Sequence, residues 1–227
     1  MSQHIQNGSN ILDATTSLGD GTNYTAWDST GHQTMAGTAK PWTDIRVEPV
    51  ARTTGANAPT FRQFFDDSGI GDTGSTRGLY LYEFDNAAGG SEKEVFFTIQ
   101  MPHEWDGGPI DLHVHWLSES SASSTAVRWA CEYNMAEPGA TFGAASSIAS
   151  ASMVSGDTGM TAGKHQITSL ATITPTTSQD GLSTILIGRL YRDSANGADT
   201  YTGDAGLLYI DGHFQLSSLG STDEYVK

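Results

Sequence analysis

The sequence predicts an all-β fold: a jelly-roll β-sandwich led in by an extended N-terminal arm. Three observations carry the prediction. Seven or eight short segments enriched in β-branched and aromatic residues are set apart by Gly, Ser, Asp and Pro punctuation such as DNAAGGSE, EWDGGP and DSANGAD. No stretch holds a helical period for more than about two turns. No repeat of roughly 20 to 50 residues marks a propeller or solenoid, so the strands are expected to close as two packed sheets.

From the N-terminus, residues 1–40 are rich in Gly, Ser, Thr, Asn and Asp, with Ile11, Leu12, Tyr24 and Trp27 as isolated apolar anchors and Trp42 just beyond. They carry too little apolar surface for a core of their own. Two readings stand: an arm laid on a neighbouring subunit through these anchors, and a disordered tail. Trp27 and Trp42 are large side chains to leave in water. Residues 41–227 then form the sandwich. In TDIRVEPV, Ile45 and Val47 alternate with polar residues, as in a half-buried strand. RGLYLYEFD and EVFFTIQMP carry apolar residues on both alternating faces, which predicts that a second subunit covers one of them. IDLHVHWLS, AVRWACEYNM, HQITSLATIT, STILIGRLYRD and GLLYIDGHFQLSS complete the set. The run TFGAASSIASASMVSGDTGM, weakened as a helix by Ser and Gly, reads as a loop or one short helix.

Composition narrows the partners. Twenty-six acidic against eleven basic residues give a net charge of −15, a field that repels phosphate backbones and anionic headgroups and so argues against direct nucleic-acid or membrane binding. The same charge suits a protein that stays soluble at high concentration or docks on a basic partner. Cys131 is the single cysteine, so neither an intrachain disulfide nor a thiolate metal cluster can form. MSQHIQNGSNILD has no basic and apolar leader pattern, and nowhere do about eighteen apolar residues run together, so synthesis in a cytoplasm is expected.

The stretch PIDLHVHWLSESS raises the question of a metal. On a strand, His113 and His115 share one face while Val114 and Trp116 share the other. The spacing Gly107, His113, His115, Glu119 resembles the first metal-binding motif of the cupins, which makes His113, His115 and Glu119 the candidate ligands if a metal is bound. The cupin pattern continues with a Gly where this chain has Ala126, and its second motif has no counterpart near His165 or His213. Glu119 also falls in a loop-like SESSASS run. The preferred expectation is therefore no metal, no cofactor and no catalytic residue, with His113 and His115 hydrogen-bonded in an interior or a subunit interface.

Other candidates are weaker. RLYRDSANGADTYTGDAG gathers Arg189, Arg192, Asp193, Asp199 and Asp204 around a turn, expected to hold Arg–Asp pairs at its rim rather than Ca²⁺. Cys131 sits among alternating neighbours with no adjacent base and reads as buried and inert. FDDSGIGDTGSTRG lacks the strand, helix and Lys of a phosphate loop.

From about Thr43 onward the order of MPHEWDGGPIDLHVHW, VRWACEY, HQITSLATI, LIGRLYRD, DTYTGDAGLLYIDGHFQ and the terminal SLGSTDEYVK resembles a family of jelly-roll structural proteins of tailed-phage virions. The resemblance implies a non-enzymatic virion protein in which Pro102, His103, His113, His115 and Trp116 organise a sheet and its interface. The expectation drawn from it is a capsid cement or decoration protein on the capsid surface, a homo-oligomer, as a trimer, docked across major capsid protein subunits. The interface candidates are Ile11, Leu12, Tyr24, Trp27, Trp42, His113 and His115. A head or tail fibre that binds a host receptor is the first alternative, and a cupin-like metalloenzyme the second.

Overall fold

The computed structural model describes residues 16–27, 32–71, 75–86, 92–123, 125–153 and 161–220; Ile11 and Leu12 lie outside them. In chain order the strands are β1 Thr16–Gly19, β2 Tyr24–Trp27, β3 Gln33–Ala36, β4 Trp42–Val47, β5 Val50–Ala51, β6 Thr60–Asp66, β7 Gly69–Ile70 and β8 Gly78–Phe84. They continue with β9 Glu94–Gln100, β10 Trp105–Ser118, β11 Ala126–Ala136, β12 Ser146–Met153, β13 His165–Ser169, β14 Ile185–Arg192 and β15 Ala205–Leu216. One 3₁₀ turn, Gly37–Ala39, is the only helical element among the described residues, so no described helix is long and apolar enough to cross a membrane.

Eight of these strands make the jelly roll. In the larger sheet the order runs β13-β10-β15-β8, and in the smaller sheet β12-β11-β14-β9, all antiparallel. The chain changes sheet at every step from β8 to β15 except across the β11–β12 hairpin, and the last strand returns beside the first. That is the double Greek-key winding of a jelly roll. β4 adds to the far half of β15, β6 and β7 extend the larger sheet beyond β8, and β5 adds to β9.

Alternation explains which side chains meet inside. Leu112, Val114 and Trp116 of β10, Val127, Trp129 and Cys131 of β11, Val95, Phe97 and Ile99 of β9 and Leu186 and Leu190 of β14 are all buried in one core. Trp129 packs edge-on against Phe84 at 5.0 Å and against Trp116 at 6.2 Å, and the Trp116 indole N–H donates to Thr168 Oγ1 at 2.9 Å. Each fully buried large apolar side chain contributes about 1.5–3 kcal/mol before ordering entropy.

Three local expectations change. Within the Ala/Ser run read as a loop or short helix, Ser146–Met153 form β12, because pairing with β11 supplies the hydrogen bonds that their low strand propensity does not, with Ile148 opposite Cys131; the end of the run, 154–160, lies outside the described residues. β9 alternates strictly, so of its apolar residues only Phe96 faces out, whereas the first half of β8 is exposed on both faces. Gly107 stands at φ +82 in an irregular part of β10, where a Cβ would lie 2.8 Å from the Asp180 carbonyl. A local backbone demand thus accounts for the glycine that opened the cupin-like spacing.

Within the segment expected to run as an arm, β1, β2 and β3 form a small antiparallel meander. Ala26 and Met35 are buried, Tyr24 and Trp27 half-buried. It is tied to its own sandwich: Met35 N–H donates to the Ser217 carbonyl at 2.7 Å, and Lys40 pairs with Asp106 at 2.9 Å.

Candidate functional site

Three neighbouring strands, β4, β15 and β10, set the outer face of the larger sheet. The register places Asp44 opposite His213, Asp211 opposite both Arg46 and His113, and Tyr209 opposite His115. Directly paired residues share a face, so Asp44, His113, His115, Tyr209, Asp211 and His213 converge there. His165 joins from β13, with its Nε2 2.8 Å from His115 Nδ1.

The contacts form one network. Asp211 lies between the two histidines of β10, its Oδ1 3.2 Å from His113 Nδ1 and its Oδ2 3.5 Å from His115 Nε2. Asp44 Oδ1 meets His213 Nδ1 at 2.5 Å. Trp42, half exposed, stacks on His213 with ring centroids 4.6 Å apart. Tyr209 stacks on His115 at 4.0 Å, and the Arg46 guanidinium sits 5.0 Å from the Tyr209 ring. Side-chain exposure falls from 57% at Asp44 to 11% at Asp211 and 7% at His115, so the network runs from solvent into the sheet. Burial pushes the His115 imidazole below its ordinary value. Asp211 opposes that shift, while His165 and His113 add to it.

The candidate ligand set is thus only partly brought together. His113 and His115 share the face, as alternation requires. Glu119 does not join them: β10 ends at Ser118, and Glu119 pairs with Arg62 at 2.5 Å, in a cluster with Glu83 and Asp204. The donors that do join His113 are Asp44 and Asp211; one ligand atom from each of the three lies within 4.8 Å of the others. Tyr209, Asp211 and His213 repeat the period-two spacing of His113 and His115, and that repetition was the available signal. Of the interface candidates, Trp42, His113 and His115 fall in or beside this network, and Tyr24 and Trp27 lie in the meander.

Two Arg–carboxylate clusters differ from it. Arg192 and Asp199 were expected at a turn's rim but have fully buried side chains. All five guanidinium N–H donors are used, two on Asp199 and three on the carbonyls of Phe84, Tyr201 and Gly203. On the outer face of the smaller sheet, Arg189 pairs with Glu92, Glu94 and Glu132, and Arg52 joins Glu94 at 2.5 Å. Burial alone would raise the Glu94 carboxyl, but hydrogen bonds from Arg189 and Arg52 outweigh it and hold the group below the ordinary glutamate range. Cys131 is fully buried, and burial pushes its thiol up to about 12, so no thiolate is available at neutral pH.

No family model matches the chain, and no curated protein matches it. Among solved structures it is similar to the carbohydrate-binding module TmCBM61, determined in complex with β-1,4-galactotriose, with a TM-score of 0.29 and 14% identity over 78% of this chain and 88% of that one. A second similar chain comes from carbohydrate-binding modules of the β-sandwich superfamily, with a TM-score of 0.27 and 8% identity over 91% of this chain and 74% of that one. At these TM-scores neither likeness bears on what this chain binds. The fold and the face together define a jelly-roll chain with a histidine–aspartate network on one sheet.

Proposed function

We propose that this chain is a bacteriophage virion structural protein that assembles as a trimer and decorates the capsid surface, docked across major capsid protein subunits. The observation that carries the reading is an aromatic patch at the end of the larger sheet. Phe61 and Tyr80 are 59% and 48% exposed, and the Phe61 ring lies 5.7 Å from Tyr80 and 5.1 Å from Tyr82. Alternation puts Tyr80 and Tyr82 on the same face of β8 as the buried Phe84, so this is core-facing surface that the smaller sheet leaves uncovered. Leu79, 69% exposed, is bare on the opposite face. Clustered aromatic surface of this kind marks an interface, and we assign its cover to a second copy of the chain. The net charge of −15 keeps many copies soluble before assembly. The role is non-enzymatic and needs no cofactor.

Light scattering on wild type and on a Phe61→Ser/Tyr80→Ser variant tests the assembly. The wild type is expected at three chain masses, with an interface above about 1,000 Å² per pair, and the variant at one. A wild-type monomer at micromolar concentration refutes it. Hundreds of copies per virion support decoration, and a few dozen support the second reading, a receptor-binding fibre. Exposed Trp42, flanked by Asp44 on an open face, favours that alternative, because an aromatic plane beside a carboxylate suits a sugar ring.

A further inference from the structure

We propose that Asp44, His113 and Asp211 form a binding site for a divalent transition-metal ion, of the Zn²⁺ or Co²⁺ class, on the outer face of the larger sheet. The three residues come from β4, β10 and β15, which lie side by side, so the sheet register itself fixes their spacing. Donors sharing one ion at about 2.0–2.2 Å stand roughly 3–4 Å apart. His113 Nδ1 and Asp211 Oδ1 are already at 3.2 Å, and all three donor atoms lie within 4.8 Å. Asp44, the most exposed of the three, supplies the third donor from the solvent side.

A second observation points to a cation. Asp211 is 8% exposed as a whole residue and 11% at its side chain, yet its Oδ1 accepts no hydrogen bond despite lying so near His113 Nδ1. A buried carboxylate oxygen without a hydrogen-bond donor is costly. A nitrogen and an oxygen 3.2 Å apart that make no hydrogen bond with each other stand at the separation of two donors on one ion. Arg46, on the same face, turns its charge to Tyr209 and to Glu48 at 2.6 Å instead. The flanking groups act as an outer layer: His213 holds Asp44 through Nδ1, and His115 stands at Asp211 Oδ2 with its other nitrogen on His165. Such outer partners fix the orientation of a ligating carboxylate.

The donor set selects the ion class. An imidazole nitrogen beside two carboxylates suits Zn²⁺, Co²⁺ or Ni²⁺, whereas Ca²⁺ calls for six or more oxygens (roughly 6–8) that three residues do not provide. With three protein ligands, the remaining positions would be filled by water. This departs from the metal-free expectation, whose named candidate ligands, His113, His115 and Glu119, all came from one strand and the loop after it.

The test uses the full-length protein, stripped with chelator, dialysed and titrated with ZnCl₂ by calorimetry and with CoCl₂ by visible absorption. One ion per chain is expected, with cobalt bands of imidazole–carboxylate ligation. Asp44→Asn and His113→Ala should each weaken binding by about tenfold or more, and His213→Ala by about 10–100-fold through the outer layer. Circular dichroism checks that each variant is folded; Asp44→Asn changes the most exposed of the three ligands and keeps the test decisive if His113→Ala is not. Absence of binding at about 100 µM metal, or equal affinity in wild type and Asp44→Asn, overturns the proposal.

Discussion

The two outer faces of the sandwich both gather acidic side chains, but they resolve the charge differently. On the smaller sheet, Arg189 and Arg52 supply cations to Glu92, Glu94 and Glu132 within the chain itself. On the larger sheet, Asp44 and Asp211 are met by imidazoles, and Arg46 on the same face is turned to Tyr209 and Glu48. A guanidinium is permanently charged and neutralises its carboxylates within the chain, so the first cluster is closed to a further cation. Imidazoles carry lone pairs as readily as protons, so the second is open. Acidic clusters therefore divide by what neutralises them rather than by how many carboxylates they hold.

The closed clusters should fail hardest when opened. Asp199→Ala would leave the Arg192 guanidinium buried without its partner, a change that costs about 3–5 kcal/mol. In a chain of this size that corresponds to a melting temperature lower by roughly 10 °C. Urea and thermal unfolding measure it directly. A loss below about 1 kcal/mol would mean that the three carbonyl acceptors of Arg192 suffice without the carboxylate.

Next in size is Glu94→Gln, expected to cost about 1–2 kcal/mol near neutral pH, discounted because the Arg52 side chain is half exposed. The sign follows from the depressed carboxyl. A group held below its ordinary value of 4.5 stabilises the fold fully above that pH and loses the contribution as pH falls through its folded value. Wild type and variant should therefore converge in acid, and unfolding curves from pH 7 to pH 3 show whether they do. A gap that widens in acid would contradict the assignment of Glu94 as an ionised hub.

Much of the fold was legible because its main strands alternate, and alternation is a local property. The seven jelly-roll strands other than β12 can be read from their own residues. β12 is a strand only through its pairing with β11, and β6 escaped notice because a bulge at Phe64 interrupts its alternation. The site was half legible for the same reason. His113 and His115 share a face by spacing alone, whereas Asp44 and Asp211 arrive through the register of strands far apart in sequence. Glu119 was proposed on local spacing and is taken by Arg62 once the chain leaves β10. The charge of the Arg192–Asp199 turn was visible in the sequence, but its depth was not, because depth depends on the carbonyls of Phe84 and Gly203 folding over it.

The smallest effect separates open from closed most sharply. In chelator-treated protein, Asp44→Asn should leave stability within about 0.5 kcal/mol of wild type. The side chain is 57% exposed, Asn keeps an oxygen that can accept from His213, and the change removes a like charge near Asp211. The matching change on the other face, Glu132→Gln, removes a carboxylate 3.5 Å from Arg189 and should cost a few tenths of a kcal/mol, because that side chain is 44% exposed and its pairing is screened by solvent. Neither number is informative alone; their response to Zn²⁺ is. An ion that binds only the folded chain adds about 2.7 kcal/mol at a hundredfold excess over its dissociation constant. Saturating metal should therefore raise the melting temperature of wild type and Glu132→Gln equally and leave Asp44→Asn behind. If all three rise together, the ion sits elsewhere and the larger sheet's face is as closed as the smaller one's.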